Sequence, residues 1–281
     1  LVRTTGDFGT TGELPSHPEL LDWLAVEFRE SGWDVKKLFR LMVTSAAYRQ
    51  AATTTPGKLR QDAANRLLSR GPRFRMDAEM VRDQALAAGG LLVRRLGGPS
   101  VKPYQPDGVW EAVAMPESNT KAYKPDSGDG LYRRSMYWFW KRSAPPASME
   151  IFNAPSREIC CVKRERTNTP LQALVTLNDP QFVEAARALA DRALAEAGAD
   201  DEARIQFMAT RILSRPLDPD ELAIARQSLA GLLDWYRTRP EDARSLVTTG
   251  ESPPGFADAT VLAGWTLLAN EFLNLDEALC K

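Results

Sequence analysis

Three times in the second half of this chain a Thr or Asp is followed directly by proline: Thr169-Pro170, Asp179-Pro180 and Asp218-Pro219. A Thr or Asp ahead of a helix accepts from the free N–H groups of its first turn, and proline fits the first helical position because its missing N–H is not needed there. Each pair therefore predicts a helix start, and Gln172 and Glu221 stand at the capping-box spacing behind the first and the third. One helix is predicted over 170–177, ended by Asn178. The next begins at Asp179 with Phe182, Val183, Ala186, Leu189, Ala190 and Ala193 on one stripe. Two helices meeting at a sharp corner make the stretch 157–187 the joint between a mixed half and a helical half.

Further helices follow from caps and apolar spacing. Ser16-His17-Pro18-Glu19 has capping-box spacing and leads Leu20, Leu21, Leu24 and Phe28. Asp34 opens a helix expected to bury Val35, Leu38, Phe39, Met42 and Ala46, forming a hairpin with the first across Ser31-Gly32-Trp33. Asp77 opens another through Met80, Val81, Ala85 and Ala88. Segments 201–213, 219–236, 240–247 and 258–272 complete the helical set. Residues 97–130 are rich in proline and glycine and predict a long irregular loop, of the kind that often carries function. In 131–142 Met136, Trp138 and Trp140 alternate with Tyr137 and Phe139, which predicts a strand paired antiparallel with 159–164. The fold class expected is mainly α, a multi-helix globular domain with that one small β pair.

Composition narrows the function classes. With 43% apolar and 26% charged residues the chain can bury a core, and 36 basic against 37 acidic residues leave no broad positive footprint for nucleic acid. No apolar run approaches the roughly twenty residues of a membrane-spanning helix. Cys160, Cys161 and Cys280 include an adjacent pair without Cys-x-x-Cys spacing, so neither a zinc site nor covalent haem attachment is encoded; Cys160 and Cys161 are expected to be buried, reduced thiols. His17 is the lone histidine, so no metal site and no cofactor of this chain's own is expected. The opening Leu-Val-Arg reads as a piece of a larger protein.

Several residues are candidates for a site. Arg164, Arg166 and Asn168 alternate in an extended segment just before a helix start, which would aim two guanidiniums and an amide one way; Arg157 lies upstream in the same basic stretch. Such a face can hold a small anion or carboxylate, or the arginines can pair with internal acids such as Glu150 or Glu158 and pin the corner. Trp110, Trp138 and Trp140 form a candidate aromatic platform for a sugar, with burial as the competing account. Asp126, Asp129 and Glu150 are candidate acids, since glycosidic cleavage needs two carboxylates at a suitable separation.

The phrases G-E-L-P-S-H-P-E-L-L-D-W-L-A, S-A-A-Y-R-Q, N-R-L-L-S-R-G-P-R-F-R-M-D-A-E, G-P-S-V-K-P-Y-Q-P-D-G-V-W, L-Y-R-R-S-M-Y-W-F-W-K-R, R-E-R-T-N-T-P-L-Q-A-L-V-T-L-N-D-P and N-L-D-E occur along the chain. Together they resemble the C-terminal domain of unknown function, DUF1553 or PSD1, of planctomycete-type exported proteins. The resemblance covers nearly all of 1–281 and implies a single domain truncated at its N-terminus, with parts at 1–96, 97–168 and 169–281. Asn153, Cys161 and Glu165 depart from the Asp, Thr and Pro usual there, and Asn153 removes a carboxylate. The resemblance also implies export to the periplasm or cell surface, a cytochrome c-like haem module upstream, and a part in polymer breakdown or electron transfer. Three functions compete: a non-catalytic interaction or scaffold domain bound to upstream domains of the same polypeptide, a hydrolase-like domain acting on a polysaccharide or its ester, and a docking domain for the haem module.

Overall fold

A computed structural model describes residues 1–255 and 258–280, which group into two compact units: 1–74 with 161–163, and 75–160 with 164–281. The larger unit holds α4 to α13 of the helices below, and the chain is mainly helical, as its caps and stripes predict.

In the smaller unit, α1 (Pro18–Glu30) and α2 (Val35–Thr44) form the expected hairpin, and α3 (Pro56–Gln61) follows. Asp34 caps α2 by accepting from Lys37 N at 3.0 Å. Phe28 and Trp33 meet edge to face, ring centroids 5.3 Å apart, across a turn in which Gly32 and Trp33 both adopt positive φ. Two expectations fail here. Ser16 does not cap α1, because its hydroxyl is engaged with His17 Nδ1 and the Leu1 carbonyl, and His17 takes the cap position without a side-chain bond. Nor does α2 bury its apolar stripe: no residue of α1 or α2 is buried, and Val35, Phe39 and Val43, spaced one helical turn apart, stand exposed with Leu20, Trp23, Val26 and Trp33. A short hairpin alone has no third layer to cover that face.

The larger unit is built around two helices, α8 (Pro180–Glu196) and α12 (Ala259–Asn274). Against them pack α4 (Ala78–Gly89), α7 (Pro170–Asn178), α9 (Asp201–Leu213) and α11 (Pro240–Val247), while α10 (Pro219–Arg237) packs on α12 and α9. Small residues explain the closeness. A Cβ on Gly89 would stand 2.6 Å from the Ala185 carbonyl oxygen, so only glycine lets the α4 backbone approach α8 that far. Leu189, Ile205, Met208, Ile212, Leu262 and Leu268 fill the fully buried centre. The predicted stripe of α8 is buried throughout, but so is its opposite face, including Glu184 and Arg187. Shorter helices α5 (Asp129–Tyr132), α6 (Ala147–Ile151) and α13 (Asp276–Leu279) lie at its margins.

The helix starts at Asp179 and Asp218 form as read. Asp179 accepts from Gln181 N at 2.9 Å, and Asp218 and Glu221 exchange both bonds of a capping box. Arg215, hydrogen-bonded to Glu221, pulls that carboxyl down to about 2. At Thr169 the helix starts on Pro170 without a side-chain cap, and Gln172 is no capping partner: it is buried, accepting from Arg75 and donating to the Ile151 carbonyl and Thr167 Oγ1.

The predicted β pair does not form. Residues 131–142 end α5, make a 3-10 turn at Ser135–Tyr137, and pair their backbone only in isolated bridges, parallel for Arg133 with Val93 and Trp138 with Val101 and antiparallel for Lys141 with Ala144. Residues 159–164 contain no strand, and Ile159 and Val162 are exposed. Side chains from α4 have taken the backbone groups a strand partner would use. Arg82 donates to the carbonyls of Leu131 at 2.6 Å and Arg133 at 2.8 Å, and Asp83 accepts from Ser135 N at 2.8 Å. With no strand to shelter them, Cys160 and Cys161 are exposed free thiols rather than buried ones.

The loop 97–130 is pinned rather than loose. Lys102 N donates to Asp126 Oδ2 and Asp126 N to the Lys102 carbonyl, both at 2.8 Å, and Tyr123 donates to the Pro103 carbonyl. Trp110 is its buried centre, with Tyr123 and Phe139 at ring distances of 4.8 and 5.5 Å.

Candidate functional site

The basic corner resolves into ion pairs on the first turn of α4. Arg164 grips Glu79 with both nitrogens, at 2.6 and 3.2 Å, and lies 3.8 Å from Asp77; Arg166 Nε is 3.7 Å from the same Asp77. Asp77 thus opens α4 without capping it by its side chain, because its carboxylate faces the arginines. The partners are Asp77 and Glu79 rather than Glu150 or Glu158. Asn168 is exposed and does not join them. Thr167, itself exposed, accepts from Asn153 Nδ2 at 2.7 Å and Gln172 Nε2 at 3.1 Å. Asn153 holds positive φ, which Asn tolerates, and its amide supplies a donor that an ionised Asp would lack.

The aromatic platform divides. Trp110 and Trp138 are buried, 1% and 2% exposed, and Arg82 lies over the Trp138 ring at 5.1 Å, so neither is an open platform, although Trp138 stands at the edge of a groove beside Trp140. Trp140 is half-buried, its indole N–H donating to the Ser156 carbonyl at 3.0 Å, and the Arg157 guanidinium sits 4.7 Å from its ring centre. Arg157 holds φ 63°, a left-handed backbone that costs a side-chain-bearing residue about 1 to 2 kcal/mol. Around Trp140 lies a surface groove of about 400 Å³ whose lining includes Ser100, Tyr137, Phe139, Arg142 and Arg157. Of these four residues the structure joins Trp140 with Arg157 and leaves Arg164 and Arg166 paired with Asp77 and Glu79 at the start of α4.

The candidate acids have separate uses. Asp126 holds Lys102 N, Asp129 lies exposed at the start of α5, 3.8 Å from Arg95, and Glu150 is exposed on α6. None lines the groove by Trp140. Among the described residues no three His, Cys, Asp or Glu side chains converge as metal ligands.

Sequence reasoning missed the polar residues that matter most to this unit. Glu184 is wholly buried on α8; its Oε1 accepts from Tyr132 Oη and from Ser252 N, each at 2.7 Å, with Arg187 at 3.9 Å. Arg187 reaches Asp191 at 3.4 Å and donates to the Ser252 carbonyl. Ser252 N and Gly255 N, donating to Glu184 and Asp191, hold the segment 249–255 on α8, and Tyr104 of the 97–130 loop accepts from Glu251 N at 2.7 Å. Burial first, then the negative charge of Glu184, pushes the Tyr104 hydroxyl up to about 12; burial and the hydrogen bond to Glu184 push Tyr132 up as well. The available signal was two charges, Glu184 and Arg187, inside a helix rich in alanine, which an outward polar face explains equally well. Gly250, at φ 88°, is the close-approach point: a Cβ there would come within 2.3 Å of Glu184 Cδ. Gly250→Ala is expected to lower stability by about 1 to 3 kcal/mol in urea denaturation, from backbone strain and displacement of that carboxylate.

A family model described as "Protein of unknown function (DUF1553)", PSD1, matches residues 1–229. No curated protein and no solved structure matches the chain.

Proposed function

Since the chain belongs to the PSD1 family of unknown function (DUF1553), we propose from its surface that it serves as a non-catalytic interaction domain within a multidomain polypeptide. One observation carries this reading. Trp23 on α1, Trp33 in the turn after it and Phe39 on α2 are each at least half exposed, and Val35 and Val43 stand exposed one helical turn to either side of Phe39. Contiguous apolar side chains of this size are costly in water and are typical of surfaces covered by a partner. The polar candidates favour the same reading, because Arg164, Arg166, Asp126 and Asp129 are spent on internal bonds and surface pairs. The partner assigned is a neighbouring domain of the same polypeptide. By resemblance alone that neighbour is a haem module and the protein an exported one.

The test compares the 281-residue chain with the same chain inside its natural reading frame. Hydrogen exchange at the α1 and α2 amides is expected to slow about tenfold or more in the longer form, and Phe39→Asp to remove the difference. Equal exchange in both forms overturns the reading. So does protection that rises with the concentration of the 281-residue chain, which would mean that a second copy covers the face.

A further inference from the structure

We infer that the groove beside Trp140 is a binding site for an acidic sugar, a carboxylated mono- or disaccharide unit. Its volume, about 400 Å³, lies within the roughly 300 to 1,000 Å³ of small-ligand sites. The charge in its lining has one sign. Arg142 and Arg157 both line it, no carboxylate does, and neither arginine has an ion-pair partner among the described residues. Two unpaired guanidiniums in one groove offer the forked donors that a carboxylate accepts.

The aromatic walls are held in advance. The bond from the Trp140 indole to the Ser156 carbonyl fixes that ring, and the next residue, Arg157, takes the left-handed backbone with its guanidinium over one face of the ring, which leaves the other face and the ring edge to a ligand. Tyr137 is fixed from two sides: Arg133 stacks 3.8 Å from its ring centre, and its hydroxyl accepts from Gly97 N at 2.6 Å. Walls fixed before binding lose little entropy when a ligand enters. Backbone strain at a side-chain-bearing residue persists where its position serves a purpose, and here the strained residue carries one of the two cations. A flat ring beside two arginines suits a ligand with an apolar C–H face and a carboxylate at its edge. The Tyr137 and Ser100 hydroxyls can serve its hydroxyl groups. The inference does not rest on the interaction reading, since α1 and α2 contribute nothing to this groove.

Isothermal titration of the 281-residue chain with digalacturonate, with cellobiose and with sodium sulfate decides the matter. Digalacturonate is expected to bind with a dissociation constant of about 1 mM or tighter, and the other two at least about tenfold more weakly. Arg142→Gln and Arg157→Gln, both at exposed positions, should each weaken digalacturonate about tenfold with the melting temperature unchanged; Trp140→Ala should weaken it similarly, and Trp140→Phe, which keeps a flat ring, less. Cellobiose binding as tightly as digalacturonate overturns the role of charge. Sulfate binding as tightly overturns the role of the ring. Absence of saturable digalacturonate binding, or binding untouched by the two arginine substitutions, overturns the site.

Discussion

Arg82→Ala is expected to destabilise the larger unit by about 3 to 5 kcal/mol, a large part of the roughly 5 to 15 kcal/mol that holds a typical domain folded. Arg82 is buried and has few substitutes. Its guanidinium donates to the carbonyls of Leu131 and Arg133, to Ser135 Oγ at 3.1 Å and to Gln181, lies 3.7 Å from Asp83, and covers the Trp138 ring. Removing it strands two carbonyls that lose their donors, and leaves the part-exposed Asp83 carboxylate with only its bonds from Ser135; each buried unmet group costs about 1 to 3 kcal/mol. Burial already strains the cation, pulling Arg82 down to about 10 despite Asp83. Arg82→Lys should recover little, because one ammonium cannot serve three directions that a planar fork serves together. Urea denaturation reads the loss, and hydrogen exchange should locate it at residues 131–138. A melting curve unchanged by Arg82→Ala would mean that the segment is held by something other than this arginine.

Glu184→Ala should cost a similar amount, about 3 to 5 kcal/mol, for a different reason: it leaves Arg187, fully buried, with Asp191 as its remaining carboxylate. The loss also frees Tyr132 and Ser252 N, so residues 249–255 should exchange amide hydrogens faster than α8 itself. Glu184→Leu with Arg187→Leu together should cost less than the sum of the two single changes, since neither charge is then stranded. Strict additivity in that cycle would show that the pair is not coupled, and the account of α8 would fall with it.

Much of the helical order was legible because its causes are local. Asp34, Asp179 and Asp218 cap the helices their positions predict, and Pro170, Pro180 and Pro219 each open one; a cap, a proline and the next turn are neighbours in the chain. The stripe on α8 was legible for the same reason. The segment 131–142 shows where this stops. Its alternation of aromatics does suit a strand, yet its carbonyls go to Arg82, some fifty residues earlier in the chain, and nothing near it in sequence announces that arginine. Asp77 likewise looks like a cap and acts as the counter-ion of Arg164 and Arg166.

The site followed the same division. That Trp140 and Arg157 are chemically apt residues was a matter of type and could be read directly. That Trp110 and Trp138 are buried while Trp140 keeps part of its surface open beside a groove depends on which parts of 97–130 and α4 close over them. Caps, prolines and apolar spacing act within a turn or two, so the amino-acid sequence by itself determined where helices such as α2, α8 and α10 begin and which residues form the apolar stripe of α8. Which polar groups are buried together, Arg82 with the carbonyls of 131–133 and Glu184 with Arg187 and Ser252, was decided by the tertiary structure, because a buried charge is tolerable only where distant chain brings it partners.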